Sequence, residues 1–475
     1  MKKFILLISI FLTVGTNAVV AQERAMTPED LWKFGRVSEP QVSPDNANVI
    51  YGVTYYNAED NSSNRDIYLL NIKENKSVNI SKSTVSEYNA VFHPTDGKIY
   101  YLAPVKGEMQ MFSMSMKGSS KKQVSFVTGG IEGFKFSPDG EKVVYYTSVK
   151  LDETPSEIYP DLNDVDVKII DDLMYRHWDN WSDYTYNHLF VSSFDSKGQI
   201  HDGIDLMENQ KFDAPMKPFG GMEQVDWSPD GNELAYACKK LSGKDYAVST
   251  NSDIFIYNLT TKQTKNVSAF NMGYDHDPVF SPNGEYLVWK SMKTPGFEAD
   301  KERIMLYSIK KRMIADLTDG FDQSCANYKW SDDSKTIYFI SGHHAKYHLY
   351  SIDVETQSIR KITSGQCDYV EYDLAGNFIV AAKQSMSLPT ELFLVDIATG
   401  KDVQLTFTNE KLLEELRFGR VEERWIKTVD DKDMLVWVIY PPFFDVKEKY
   451  PAILYCEGGP QSAVSQFWSY RWNFQ

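Results

Sequence analysis

FSPDGEKVVYY, residues 136–146, is the stretch that decides the fold of this chain. An aromatic residue, Phe136, precedes the four residues Ser137–Gly140, and the run Val143–Tyr146 follows them. Ser, Pro and Gly suit the first, second and fourth positions of a type I turn. The β-branched and aromatic residues after the turn favour a strand. The stretch therefore predicts two antiparallel strands joined by a tight turn.

The same signature recurs along the chain. Related turns begin at Ser43, His93, Ser228, Ser281, Ser331 and, in a degraded form, Asp373. With Ser137 included, the successive intervals are 50, 44, 91, 53, 50 and 42 residues. Such a period, with several strands in each unit, is typical of a β-propeller. Seven signatures predict an all-β, seven-bladed β-propeller over residues 35–410. The blades must stack on one another, because one four-stranded sheet cannot bury both of its faces alone.

The interval of 91 residues between Ser137 and Ser228 is long enough for two blades. Residues 151–186 carry no turn signature and are rich in Asp and Trp, so we predict one blade with an insertion. Within it, residues 170–181 fit either a short amphipathic helix or an extended arm.

Residues 1–21 are typical of a secretory signal peptide. Lys2 and Lys3 precede the apolar run Phe4–Leu12, and Val19–Ala21 precedes a cleavage site before Gln22. The apolar run is well short of the ~20 residues that a membrane span requires. We therefore expect a periplasmic or secreted protein with no stable membrane anchor after cleavage.

Charge and cysteine content exclude two classes of function. The net charge of −16 repels nucleic acid, and no basic cluster offsets it, so we expect no nucleic-acid partner. The four cysteines are widely spaced and form no CxxC pair, so we predict no metal site.

The C-terminal part, residues 411–475, has a different pattern. Residues 423–429 and 434–440 predict an antiparallel hairpin, and Tyr450–Pro460 predicts a buried parallel strand that runs into a tight Gly-Gly loop. This order indicates the beginning of an α/β-hydrolase domain, whose remainder we expect beyond Gln475. We expect residues 22–34 to lie on the hydrolase side as well.

These features resemble, in this order, the prolyl oligopeptidase family of serine peptidases. Residues 156–161, 172–178, 249–255 and 450–461 are similar to a bacterial dipeptidyl-peptidase branch near the acylaminoacyl peptidases. The resemblance implies a serine exopeptidase that releases dipeptides from peptides with free N-termini and uses no cofactor. Its Ser-Asp-His triad is expected after Gln475, since no G-x-S-x-G motif follows Leu405, and residues 22–475 alone should be inactive. A homodimer is left open.

The resemblance also assigns roles near the Gly-Gly loop. The backbone N–H of Gly459, with Gly458, would stabilise the oxyanion. Glu457 departs from the family pattern, in which His or Tyr precedes the glycines. An ionised carboxylate cannot donate a hydrogen bond, so the oxyanion hole uses backbone N–H groups, or Glu457 points away from the oxyanion, or Glu457 contacts the substrate.

An exopeptidase must also bind the ammonium group of its substrate, and a carboxylate in a partly dry pocket does this best. The glutamate pair that a related branch uses is absent from the insertion. Asp171, Asp172 and Asp179 are the candidates in its place, and Arg176 is a candidate for binding a substrate carbonyl. The competing interpretation is a solvated acidic arm.

A second hypothesis is a non-catalytic periplasmic propeller that binds a protein or peptide. The repeated turns fit it equally well. The segment Tyr450–Pro460 favours the enzyme, because a propeller without a hydrolase domain has no use for it.

Overall fold

The computed structural model describes residues 23–162, 165–458 and 462–475 of the chain. The predicted signal peptide, residues 1–21, lies outside the described residues. Seven four-stranded antiparallel sheets follow one another along the chain, which confirms the predicted seven-bladed β-propeller. We number these blades 1–7 in chain order.

Blades 1–4 each pair four strands in sequence order. Their strands are Arg36–Val42, Asn48–Asn57, Ser62–Asn71 and Lys76–Asn79 in blade 1; Tyr88–Phe92, Lys98–Val105, Glu108–Ser115 and Lys122–Gln123 in blade 2; Gly133–Phe136, Lys142–Lys150, Thr185–Ser193 and Ile204–Asp205 in blade 3; and Val225–Trp227, Glu233–Cys238, Asp253–Asn258 and Thr264–Asn266 in blade 4.

Blades 5–7 repeat the arrangement. Their strands are Asp275–Phe280, Tyr286–Ser291, Arg303–Ser308 and Met313–Asp316 in blade 5; Cys325–Trp330, Thr336–Gly342, Tyr347–Asp353 and Ile359–Lys361 in blade 6; and Asp368–Ala375, Phe378–Ser385, Leu388–Asp396 and Asp402–Gln404 in blade 7.

The remaining elements are short. Three further strand pairs are Ser125–Phe126 with Ile200–His201, Arg176–His177 with Asn180–Trp181, and Val421–Lys427 with Asp433–Ile439. The α-helices are Asp30–Lys33, Pro155–Ile158, Gly243–Val248 and Glu410–Leu413, and the 3₁₀-helices are Pro160–Leu162 and Met222–Gln224. None of these helices within the described residues has the length and apolar character needed to span a bilayer.

The repeated turn closes through its serine. In blade 3 the Ser137 carbonyl accepts the Gly140 N–H at 2.8 Å, and the Ser137 hydroxyl accepts the Lys142 N–H at 2.9 Å. Gly140 has φ +75°, a conformation that costs glycine little. The equivalent hydroxyl bond recurs in blade 4 from Glu233 N–H to Ser228, also at 2.9 Å. The sequence signature thus reflects a hydrogen-bonded joint between the first and second strand of a blade.

Seven apolar clusters hold the ring together, one between each pair of neighbouring blades. The cluster between blades 4 and 5, for example, packs Ala235 and Ile254 against Trp289, which is fully buried. Each blade in this ring therefore buries apolar side chains on both faces of its sheet. A single four-stranded sheet cannot do this alone, so the unit has to repeat around the ring.

Ring closure uses side-chain packing without a shared strand, because the four strands of blade 7 and of blade 1 each come from one stretch of chain. Val37 and Val49 of blade 1 belong to the same buried cluster as Val380 of blade 7. Two hydrogen bonds join the innermost strands, from Val42 N–H to Asp373 Oδ2 and from Glu39 N–H to Glu371 Oε2, each 2.7 Å long.

Blade 3 contains the insertion, as predicted. Its second and third strands pair without a gap from Lys142–Ser193 to Lys150–Thr185, so the insertion comprises residues 151–184. Of the two forms expected for residues 170–181, the structure shows the extended arm, whose tip is the two-residue hairpin of Arg176–His177 and Asn180–Trp181.

The two ends of the propeller carry different connections. The repeated turns lie at one end, because each joins a first strand to a second. Antiparallel pairing places the connections between second and third strands, including the insertion, at the opposite end. We call this opposite end the insertion face.

The C-terminal segment agrees with the sequence prediction in one part and differs in another. The hairpin of Val421–Lys427 and Asp433–Ile439 is present. The strand expected from Tyr450 onward is wrong for the described residues: residues 450–458 form no strand, and Ile453 is 96% exposed. A parallel strand is buried by neighbouring strands and covering helices, and none of the described residues pairs with this run.

A buried carboxyl in blade 5 should make the stability of the propeller depend on pH. Asp275 is fully buried, one of its oxygens lacks a hydrogen-bond partner, and burial raises its pKa to about 6. The folded state then holds this proton more tightly than the unfolded state, so the stabilisation present below pH 4 is lost as the pH rises through 6.

We expect Asp275→Asn to remove this dependence. Relative to wild type, the variant should gain on the order of 2 kcal/mol between pH 4 and pH 8 in the free energy of unfolding, measured by urea denaturation. Asp319→Asn, an exposed change in the same blade, is the matched control. An equal pH response of the two variants would contradict this account.

Candidate functional site

The C-terminal segment contacts the propeller at the insertion face. Glu423 of the hairpin forms a salt bridge of 2.5 Å with Lys346, in the connection between the second and third strands of blade 6. The Ser465 hydroxyl donates to Asp368 Oδ2 at 2.6 Å, and Asp368 is the first residue of blade 7. Asp368 also accepts the Tyr347 N–H at 2.9 Å. The hairpin and the segment around Ser465 therefore lie at the same end of the propeller as the insertion.

The N-terminal segment joins this region. Phe34 packs edge-on against Trp468, with ring centroids 5.2 Å apart, in a buried cluster with Leu416. Arg24 forms a two-pronged salt bridge with the buried Asp30, and the charge and hydrogen bonds of Arg24 lower the pKa of that carboxyl strongly. The chain segments that precede and follow the propeller in sequence thus contact each other outside the ring.

A cavity of about 600 Å³ opens at the insertion face between the arm and blades 3 and 4. Its floor comes from the second and third strands of blade 3, which place Tyr146, Ser148 and Asn187 there. The loop that leads into blade 4 supplies Asp213, and the arm supplies Arg176. Trp178 of the arm reaches Phe219 of that loop, with ring centroids 5.2 Å apart, so the arm bridges one side of the cavity.

The structure places one of the four residues predicted on the arm at this cavity. Arg176 lines it, and its guanidinium lies 5.2 Å from the centre of the Trp181 ring. No carboxylate among the described residues lies within salt-bridge distance of Arg176. This cation is therefore available to a ligand acceptor.

The three predicted aspartates lie elsewhere. Asp171, Asp172 and Asp179 are exposed and are not among the residues that line the cavity. Asp172 lies against Gly243, where an added Cβ atom would come within 2.1 Å of the Asp172 carboxylate. Their assignment to the substrate ammonium remains a prediction, and their position favours solvated carboxylates on the arm.

The Gly-Gly loop is described only in part. Gly458 is exposed, and a Cβ added to it would meet no atom within 4 Å. Gly459 lies outside the described residues, so its role in an oxyanion hole stays a prediction. Glu457 is exposed and accepts a long hydrogen bond of 3.4 Å from the Ser462 hydroxyl.

Sequence reasoning missed the carboxylates that the fold brings to the cavity, which are Glu132, Asp183 and Asp213. Asp213 lies far from the arm in sequence and belongs to no motif, so only the blade count and the antiparallel pairing place it there. The two prolines that follow it, Pro215 and Pro218, marked a constrained loop, but that signal does not indicate which side chain faces a cavity.

The contact between Ser465 and Asp368 should stabilise the attachment of the C-terminal segment. Ser465→Ala would leave a buried carboxylate oxygen without this donor, at a cost of about 1–3 kcal/mol. Burial raises the pKa of Asp368 to about 6, so the cost should be larger at pH 8, where the group is ionised, than at pH 5. Thermal denaturation at both pH values measures it, with the exposed Ser462→Ala as control. Equal losses for the two variants would refute the proposed contact.

Comparison with known proteins places the fold. The model of the TolB beta propeller domain matches residues 224–412. An acylaminoacyl peptidase solved in complex with Z-Gly-Gly-Phe-chloromethyl ketone superposes with a TM-score of 0.73 at 18% identity, over 94% of this chain and 64% of that one. The propeller domain of the Trilobed protease from Pyrococcus furiosus, described as having an open velcro topology, covers 80% of this chain and 97% of its own with a TM-score of 0.53 at 15% identity. At these identities the likeness shows the fold alone.

Two curated relatives share much more of the sequence. Dipeptidyl-peptidase 5 of Porphyromonas gingivalis is 39% identical over 463 residues, which cover 98% of this chain and 67% of that protein. Dipeptidyl-peptidase 5 of Porphyromonas endodontalis is 41% identical over 453 residues, covering 95% of this chain and 65% of that protein. The chain thus spans about two thirds of the length of these relatives. With this identity over nearly all of its length, the chain belongs to the dipeptidyl-peptidase 5 group of the prolyl oligopeptidase family.

Proposed function

We propose that the full-length protein is a serine-type dipeptidyl peptidase that removes dipeptides from the free N-termini of peptides. The observation that carries the proposal is the shared location of three features at the insertion face: the cavity, the arm and the segment that leads to Gly458. A peptide bound in that cavity would lie between the propeller and the segment that we assign to the catalytic domain.

The exposed apolar run supports a larger catalytic domain. Ile453 and Leu454 are 96% and 84% exposed, which is unusual for two adjacent aliphatic residues. In the proposal this run becomes an inner strand of a hydrolase sheet. The backbone N–H of Gly459 then helps to stabilise the oxyanion of an acyl-enzyme reaction, in which a serine attacks the scissile carbonyl and a histidine takes its proton.

The residues of the triad are expected beyond those described. The last histidine of the sequence is His348, in the propeller, so residues 411–475 contain no general base of this kind. The propeller walls the site, so access is restricted to short or unfolded peptides.

Turnover and active-site labelling test this function. The full-length protein should react with a fluorophosphonate probe and release dipeptides from dipeptidyl p-nitroanilides, with much slower release from the N-acetyl analogues. A protein of residues 22–475 should do neither, because it lacks nucleophile and base. A full-length protein that neither reacts with the probe nor releases dipeptides would overturn the proposal, and so would turnover by residues 22–475.

We also propose export to the periplasm or the medium, on the basis of Lys2, Lys3 and the apolar run Phe4–Leu12. Mass spectrometry of the exported protein should find an N-terminus at Gln22. Replacing both lysines by glutamate should slow export, since the charged n-region orients the signal peptide. An uncleaved protein in the cytoplasmic fraction of wild-type cells would contradict this localisation.

A further inference from the structure

One wall of the cavity contains the carboxylate of Asp213. The protein holds this side chain in place through one of its two oxygens. Asp213 Oδ1 accepts the Asn187 N–H at 2.8 Å. Two more bonds fasten the same loop to Asn187: Ala214 N–H to the Asn187 carbonyl at 2.9 Å, and the Asn187 amide to the Pro215 carbonyl at 3.1 Å. The second oxygen, Oδ2, accepts no hydrogen bond from the described residues, and the side chain is only 16% exposed.

The lysines around this carboxylate are already engaged. Lys217 lies 4.0 Å from Asp213 Oδ1 and donates instead to the Thr185 carbonyl at 3.0 Å. Lys211 pairs with Asp152 at 2.5 Å, and Lys239 donates to a backbone carbonyl. Lys217 is therefore the one cation close to Asp213 among the described residues, and it forms no hydrogen bond with Asp213, because Thr185 and Asp183 share its ammonium group.

A second acceptor lies along the same wall. The Ser148 hydroxyl is 3.2 Å from Glu132 Oε1 and 3.2 Å from Asn187 Oδ1, so a short polar chain connects Glu132 with the residue that holds Asp213. Glu132 is exposed and forms no salt bridge with the described residues. The apolar side chains of Phe212 and Leu241, which also line the cavity, reduce the competition from water.

Burial makes the ionised form of Asp213 costly. The pKa of Asp213 is raised, with desolvation as the largest cause, against the lowering effect of the Asn187 N–H and of Lys217. A cationic ligand would favour the charged form. The titratable groups that face Asp213 are Lys217, Asp183, His188, Tyr186, Tyr246 and Cys238.

We propose that Asp213 binds the α-ammonium group of the first residue of the peptide substrate, with Glu132 as the second acceptor on the same wall. This inference rests on the proposed function and names the residue that selects free N-termini. An ammonium group donates up to three hydrogen bonds, and one of them is accepted by the open oxygen of Asp213. An acylated N-terminus carries no charge and would leave the carboxylate buried and unpaired.

The substitution Asp213→Asn in the full-length enzyme tests the assignment. The value of kcat/KM for a free-amine dipeptidyl p-nitroanilide should fall on the order of 100-fold, mainly through KM, because a buried charge pair is lost. Turnover of the N-acetyl analogue should not fall and should rise if the unpaired charge of Asp213 hinders its binding, while the rate of fluorophosphonate labelling should stay unchanged. Asp161→Asn, an exposed change of the same type in the insertion, is the matched control and should alter none of the three.

The pH dependence of kcat/KM distinguishes substrate binding by Asp213 from a merely structural role, because a structural role would not change it. In the wild type, kcat/KM for the free-amine substrate should fall on the acid side as Asp213 takes up a proton. In Asp213→Asn this decrease of kcat/KM at acid pH should be absent. With the N-acetyl substrate, neither the wild type nor the variant should show it.

Calorimetry separates this inference from the proposed function. The full-length protein should bind valyl-alaninamide in a manner that Asp213→Asn abolishes, and should not bind N-acetyl-valyl-alaninamide. Binding that depends on Asp213 without any turnover would refute the peptidase and leave the ammonium site. Unchanged selectivity in the variant, or an equal loss for both substrates together with slower labelling, would overturn the ammonium site itself.

Discussion

Apolar packing between neighbouring blades is the interaction on which the rest of this structure depends. A four-stranded sheet with apolar side chains on both faces is unstable alone, and it gains its stability only between two other sheets. Trp289, fully buried, shows the consequence, since its environment comes from blade 4 as much as from its own blade. The last joint, between blades 7 and 1, has the same character and contains no shared strand.

Because of this constraint, the two ends of the ring differ in how much their connections can vary. At one end the repeated turn is short and closed by its own serine, so it leaves little room for variation. At the other end the connections between second and third strands are free to grow, as residues 151–184 do, without disturbing the pairing beneath them. The cavity, the arm and the contacts of the C-terminal segment all occur at that end for this reason.

Several buried or half-buried carboxyls are also concentrated there. Asp275 and Asp368 are the first residues of blades 5 and 7, and Asp213 lies in the loop that leads into blade 4. Burial raises the pKa of each of them. Their surroundings differ. Asp368 holds the C-terminal segment, and Asp275 is enclosed between blade 4 and blade 5, where Asn271 donates to its carboxylate. Of the three, only Asp213 faces an open cavity. Desolvation thus raises the pKa of both carboxyls, but Asp368 holds the C-terminal segment in place, whereas the position of Asp213 favours a binding role.

The sequence by itself determined the number of blades, the single long insertion and the hairpin of residues 421–439, because each rests on local turn chemistry and on alternation within a few residues. It failed at residues 450–458, where an apolar run predicts a strand but a strand forms only with a partner to pair with. Only the tertiary structure decided which carboxylates line the cavity. Asp171, Asp172 and Asp179 looked suitable from their neighbours in sequence. Asp213 reaches the cavity because antiparallel pairing brings its loop beside Asn187, and no local pattern encodes that proximity.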